Sequence, residues 1–341
     1  MLQINVLYPF DNNYAPYGGI SLTSLLENNK AADAVHVYVL GFDLGEDTKE
    51  KLQKTVDRYG RDLTLLDPSG VEAKIKSLKL PSYRGASVAV ARLFVSEFIP
   101  NDVDRLLYLD SDTIITGDLR GLFNADLNGK PVGMVCDSVA RDYKKCMGFA
   151  PEEDYYNGGM ILYDMPAWRE KKCTERIIDH VENVRSRYEA LDQDLINIVL
   201  KGEIERLDLR YNFQPFHRVY PAKAYLKAYG EKGYYDGDTI REASEHAAIL
   251  HAFRYLGVFP WHKGTLHPYA SEYEHYKQLS LWSDMAPEEP PKKGFMLSVE
   301  CILYRLFPGS LFLRSFRLAF GTQMARIEKQ LKKNAAYYEN I

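Results

Sequence analysis

Cysteine is scarce and poorly placed for chemistry. The four present, Cys136, Cys146, Cys173 and Cys301, form no CxxC or CxxxC pair, so neither a thiolate zinc site nor a disulfide framework is indicated. A reducing compartment is the expectation. Long apolar runs are missing too: no segment offers about 18 uninterrupted apolar residues, which argues against a helix that spans a bilayer. The opening MLQINVLYPF carries no basic stretch ahead of its apolar residues, against a secretory leader. Nor is positive charge in excess. With 43 Lys and Arg against 47 Asp and Glu the formal charge is −4, which gives no global case for nucleic acid as a partner. Disorder is excluded by an abundance, a hydrophobic content of 46% over 341 residues, enough for one large core or two modest ones. Internal repeats and low-complexity tracts are absent. The sequence thus predicts a folded cytoplasmic protein.

What is present is a regular alternation. QINVLYPF, VHVYVLGF, LTLL, RLLYLD, PVGMVCD and AAILHAF are short apolar or alternating runs closed by polar or turn residues, as strands are. Helical patterns fall at 18–29, 47–59, 86–99, 168–188 and 192–201. This order predicts an α/β fold with a mainly parallel central sheet covered on both faces, and ligands gathered at the carboxyl ends of the strands. Near residue 285 the composition changes. DMAPEEPPKKG gathers Pro287, Pro290 and Pro291 and reads as a linker between a main domain, 1–285, and an extension, 286–341. Residues 292–341 carry nine Lys and Arg against three Asp and Glu. Within them Phe312, Phe316, Phe320, Met324 and Ile327 recur at helical spacing, among Arg314, Arg317, Arg326, Lys329, Lys332 and Lys333. That pattern suits a helix attached peripherally to an anionic membrane surface such as the inner face of the cell membrane, and the linker and the acidic main domain before it favour this reading. Packing on the main domain or on a second subunit is the bland alternative.

LYLDSDTIITGDL, residues 107–119, ends an apolar run on Asp110 and Asp112 with Ser111 between them. Strand alternation projects the two carboxylates together, where like charges repel and require a cation or a shared proton. Oxygen ligands suit Mg²⁺ or Mn²⁺, ions that commonly bridge to substrate phosphates. The commonplace alternative is a loop or cap use of Asp-Ser-Asp. An aspartyl-nucleophile phosphohydrolase or phosphotransferase also places DxD after a strand, but that pattern has Thr or Val where this chain has Ile114.

Together with other stretches, LYLDSDTIITGDL resembles glycosyltransferase family 8, the group that includes bacterial lipooligosaccharide galactosyl- and glucosyltransferases and glycogenin. FDNNYAPYGGISLTSLLENN (10–29) is similar to its nucleotide-binding loop and first helix, and SVAVARLF (87–94) to the helix that carries its arginine. YYNGGMILYDMPAWRE (155–170), LDQDLIN (191–197) and ILHAFRYLGVFPWH (249–262) resemble its later segments in the family's order. The resemblance covers roughly residues 1–270. It implies a GT-A fold, a UDP-glucose or UDP-galactose donor, Mn²⁺ with Mg²⁺ as the substitute, and hexose transfer with retention to a surface-glycan, lipooligosaccharide or lipid-linked acceptor. It also implies roles. Asp110, Asp112 and His251 match metal ligands; Asp11, Asn13 and Tyr14 match positions near the uracil and ribose; Arg92, with Ser111, matches the donor-sugar surroundings. Asn157, Asp192 and Gln193 match positions around the reacting centre.

Each residue has a plainer reading as well. Asp11 and Asn13 suit a β-to-α turn, Asn157-Gly158 a hairpin, and Asp192 a helix N-cap. A lone His251 is more often structural. Arg92, on an apolar helix, is harder to dismiss, because a buried guanidinium requires an anionic partner such as Asp110 or the donor itself. The chain departs from the family in its last segment. Residues are added between His251 and Gly257, and Phe259 stands where the family has a lysine that grips the donor diphosphate. Arg254 and Lys263 are the candidates to replace that charge. A relative that binds nucleotide-sugar without turning it over is a further alternative. If retention proceeds by double displacement, Asp192 or Gln193 supplies the nucleophile, and front-face attack is equally compatible.

Overall fold

A computed structural model describes residues 2–78, 80, 88–138, 144, 147–150, 152–184, 191–229, 233–292, 295–306 and 313. Its centre is a seven-stranded sheet in the order β3-β2-β1-β4-β7-β6-β8. The strands are β1 (Gln3–Asp11), β2 (Ala34–Phe42), β3 (Asp62–Leu66), β4 (Arg105–Leu109), β6 (Val132–Cys136), β7 (Tyr156–Asp164) and β8 (Ile204–Arg206). β1 pairs parallel with β2 and β4, β2 with β3, and β6 with β8; β7 runs antiparallel between β4 and β6. The sheet is mainly parallel, as the alternation of elements predicts. β1 shows why: Asn5 through Phe10 are buried with Ile4, the continuous apolar run of a strand covered on both faces.

A second, two-stranded ribbon pairs β5 (Thr113–Ile115) with β9 (Ile249–His251), Thr113 opposite His251. It rises from the end of β4 and carries the acidic segment with it. α1 (Ala15–Asn28) begins with proline in its first turn, where no N–H is lost, and packs against β5. Gly18 and Gly19 on α1 leave room for the rings of Phe10 and Trp282.

Several sequence expectations need correction. The described part of 168–188 is two helices, Met165–Glu170 and Cys173–Asn183, because Lys172 turns left-handed at φ 52° between them. The described part of 86–99 is a 3-10 turn, Ala89–Phe94, followed by the short helix Val95–Phe98. β5, β7 and β8 had no strand reading. β5 and β8 span only three residues each, and β7 opens on Asn157-Gly158-Gly159, which mimics a turn.

Beyond residue 285 the chain keeps contact with the main body. Glu288 N donates to Trp261 O (3.1 Å), its carbonyl accepts from Lys263 N (2.8 Å), and Glu289 pairs with Lys263. The helix Phe295–Leu306 then lays Cys301 and Tyr304 against the body and leaves Ile302 and Leu306 exposed. The stripe from Phe312 to Ile327 and its basic neighbours lie outside the described residues.

Candidate active site

The carboxyl ends of β1, β4 and β9 come together with the starts of β5 and β7 and the helix Leu191–Val199. Asp110 leaves β4 with its N–H on Gly159 O (2.9 Å), and Asp112 directs its carbonyl to Ala252 N (2.7 Å). The ribbon pairing then sets His251 beside both. Asp110, Asp112 and His251 each present one ligand atom, all within 4.8 Å of one another. His251 Nε2 stands 3.4 Å from Asp112 Oδ1 and 3.9 Å from Asp110 Oδ2.

The groups behind these atoms aim them. Asp110 Oδ1 accepts from Arg92 Nη2 (2.8 Å) and Tyr108 Oη (2.6 Å), which leaves Oδ2 for the cluster. His251 Nδ1 lies 3.0 Å from Asn212 Oδ1. The Asn212 amide nitrogen donates to Asn157 Oδ1 (2.8 Å), so its oxygen is the acceptor and Nδ1 carries the proton. With Nδ1 committed to Asn212, Nε2 is the nitrogen turned toward the two carboxylates. Burial would lower its pKa, but Asp112 and then Asp110 hold it above the ordinary value. Burial would raise Asp112, yet His251 pulls it below the usual carboxylate range. The donor set, two carboxylates and one imidazole oriented from behind, fits a divalent cation with positions left for phosphate oxygens.

Arg92 is 4% exposed, and each guanidinium nitrogen faces protein. Nε meets Asp192 Oδ2 (2.9 Å) and Ala89 O (2.8 Å), Nη1 donates to Gly158 O, and Nη2 holds Asp110. The guanidinium also lies over the Tyr108 ring. Burial opposes its charge, while Asp110 and Asp192 hold its pKa above the ordinary value. Asp192 is raised, by burial first, with Arg92 opposing. The partner the sequence demanded for this arginine is thus a pair of carboxylates.

Asn157-Gly158 is not a hairpin turn but the start of a central strand. Its glycines are required by the neighbours: a methyl on Gly159 would overlap the His251 ring, and one on Gly158 would lie 2.8 Å from Arg92 Nη1. Gln193 accepts from Gly158 N (2.9 Å) and donates to Asp137 Oδ2 (2.9 Å). Asn157 donates to the same oxygen (3.1 Å), and Gln214 to Asp137 Oδ1 (3.3 Å). Asp137, Asn212, Gln214 and Tyr108 were not singled out from sequence. Lone Asp, Asn and Gln residues carry no spacing signal; that PVGMVCD ends on Asp at a strand terminus was the available clue for Asp137.

The remaining candidates stand on two loops. Asp11, half-buried, caps Tyr14 N through Oδ1 (2.9 Å), so its turn role is real, while Asn13 and Tyr14 are exposed. Ser111 is half-buried between the two aspartates. Gly257, at φ 75°, forms a turn with Leu256, φ 49°, and Arg254 is exposed with its guanidinium 5.2 Å from the Phe259 ring centroid. Lys263 pairs with Glu289 at 2.9 Å.

The aspartyl-nucleophile alternative gains no support here. Asp110 is held by Arg92 and Tyr108 on one oxygen and faces His251 with the other. The family model described as Glycosyl transferase family 8 matches residues 5–265. General stress protein A of Bacillus subtilis is 28% identical over 80% of this chain and 92% of its own. A lipopolysaccharide 1,2-glucosyltransferase of Escherichia coli is 28% identical over 84% of this chain and 81% of its own. Among solved structures, the galactosyltransferase LgtC in complex with donor and acceptor sugar analogues superposes with a TM-score of 0.66 at 22% identity, covering 82% of this chain and 96% of that one. The fold is the GT-A type that the resemblance implies.

Proposed function

The chain belongs to glycosyltransferase family 8, and from that premise we propose that it transfers glucose or galactose, with retention, from a UDP-sugar to a bacterial surface-glycan, lipooligosaccharide or lipid-linked acceptor. The observation that carries the reading is the convergence of Asp110, Asp112 and His251 at the carboxyl ends of the sheet, beside a network of side-chain amides. These three residues would hold Mn²⁺, or Mg²⁺ in its place. Bound there, the cation supplies charge stabilisation to the departing nucleoside diphosphate.

The chain's own residues do the rest. Arg92 and Tyr108 fix one oxygen of Asp110 so that the other stays aimed at the cluster. Asn212 fixes the His251 tautomer. Asp137 orients the amides of Asn157 and Gln193 beside the place where the reacting sugar would lie. Asp11, Asn13 and Tyr14 receive the uridine, and Arg254 meets the diphosphate. Arg254 is favoured over Lys263 because Lys263 is already paired with Glu289. The Gln193 amide is spent on Gly158 N and Asp137, and Asp192 is ion-paired to Arg92. Both are poor nucleophiles in that state, which favours front-face attack over double displacement.

Peripheral membrane attachment is part of the proposal. No helix among the described residues is long and apolar enough to cross a membrane. Ile302 is 54% exposed and Leu306 71%, and the basic chain follows directly. Sedimentation with anionic liposomes at low salt tests it, and indifference to the vesicles rejects it.

The function is tested by incubating the protein with UDP-, GDP- and ADP-sugars and Mn²⁺, following donor hydrolysis and then transfer to candidate acceptors. UDP-hexose turnover is expected; turnover of none of them rejects the reading.

A further inference from the structure

The residues added between His251 and Phe259 form a hairpin. Tyr255 and Val258 pair antiparallel, N–H to O in both directions (2.9 and 3.1 Å), around the two-residue turn Leu256-Gly257, both with positive φ. Arg254 and Phe259 are the next residues outward on each arm. The hairpin therefore brings Arg254 over Phe259.

Phe259 ends a column. Its ring stacks on Trp261 at 4.4 Å and 7°, and Trp261 stacks on Tyr17 at 4.0 Å and 20°. Tyr17 meets Tyr14 edge-on at 5.7 Å. Trp261 and Tyr17 are buried; Arg254 and Tyr14, at the two ends, are exposed. Tyr17 Oη donates to Glu288, whose backbone is bound to Trp261 and Lys263, so the segment after residue 285 clamps the column. The hairpin is supported from behind: Tyr304 packs on Tyr255, and Cys301 Sγ lies 3.7 Å from Leu256 O. The first turn of α1, which follows β1, and the loop after β9 are thereby joined by stacked rings.

We propose that this column positions the Arg254 guanidinium for the donor diphosphate, so that Phe259 and Arg254 together do what a lysine at position 259 does elsewhere in the family. The inference rests on the UDP-sugar reading. An exposed arginine samples many rotamers, whereas a guanidinium over a ring face, as Arg254 is over Phe259, is restricted in rotamer and can still offer its N–H fork to phosphate oxygens. Phe259, Trp261 and Tyr17 are positioning residues. Arg254 is the group that touches the ligand.

The test is the affinity of the full chain for UDP and for UMP, in Mn²⁺, by calorimetry. R254A is expected to weaken UDP by about tenfold or more while UMP changes little, because the second phosphate is the one addressed. F259L should weaken UDP by roughly threefold to fivefold, F259Y should bind as the native chain does, and R254A/F259L should be no worse than R254A. R254K, at an exposed position that tolerates it, should fall between R254A and the native chain. The column is overturned if F259L binds UDP normally, if the losses in the double variant add, or if R254K binds as the native chain does. If F259L fails to fold by thermal melting, R254K decides. If R254A itself leaves UDP binding intact, Arg254 has no such role and the inference falls with it. A native chain that binds no UDP overturns the function rather than the column.

Discussion

The acidic cluster and the aromatic column border the same face of the sheet, and they are built by different means. At Asp110, Asp112 and His251 the backbone does the placing: strand pairing sets Thr113 opposite His251, and hydrogen bonds from Arg92 and Tyr108 to Asp110 and from His251 to Asn212 fix what remains. At Arg254 the placing is done by side-chain stacking on a short hairpin, with an exposed cation at its end. The first region has no freedom to lose and tolerates little change. The second, on the proposal above, has an assembly of rings and a cation act in place of one charged residue, and should lose function in graded steps.

The largest effects should break the first region. Asp112→Asn removes an anionic ligand, and Gly159→Ala drives a methyl into the His251 ring; each is expected to lower turnover by more than roughly a hundredfold. Donor hydrolysis at saturating Mn²⁺ checks both, and a fully active Gly159→Ala would show that His251 is not held as described. Next comes Asn212→Ala, which leaves the ligands in place but frees the imidazole. Metal affinity, read by titration, should drop by roughly tenfold to a hundredfold with the melting temperature changed far less.

A graded loss should come from pH. Burial pushes His217 down to about 3 and His267 down to about 4, from an ordinary 6.5. His217 Nδ1 is buried without a hydrogen-bond partner among the described residues, so a second N–H there would go unpaired. Below pH 6.5 the unfolded chain binds protons that these two folded histidines refuse, so their contribution to stability falls as pH drops toward 4 and is flat above about 7. The two together are worth on the order of a few kcal/mol. Denaturant unfolding between pH 8 and 4.5 should show that slope, with His217→Gln reducing it. The smallest effect is expected from Tyr17→Phe, which keeps the stack but drops the hydrogen bond to Glu288. About 1 kcal/mol of stability and at most a small change in donor KM are expected.

The same contrast decides what could be read from sequence. Apolar runs closed by turns give β1, β2, β3, β4, β6 and β9, and a buried arginine on an apolar segment points correctly to Asp110 as its partner. The start of β7 misleads because Asn-Gly-Gly is turn chemistry by local rules. Only the His251 ring and the Arg92 guanidinium, both far away in sequence, explain why glycine is needed in a strand. Asp137 and Asn212 carry no spacing signal at all, since their roles arise from where separate strands and loops end. The stack from Tyr17 to Phe259 likewise joins segments more than two hundred residues apart, and no periodicity records it.

The central claim is that Asp110, Asp112 and His251 form a metal site on which donor binding depends. Calorimetric titration of UDP into the native chain and into Asp112→Asn, each with Mn²⁺ and after EDTA, tests it most directly. UDP should bind the native chain tightly only with Mn²⁺ and should bind Asp112→Asn weakly under both conditions. Equal UDP affinity with and without Mn²⁺, unchanged in Asp112→Asn, would contradict the account.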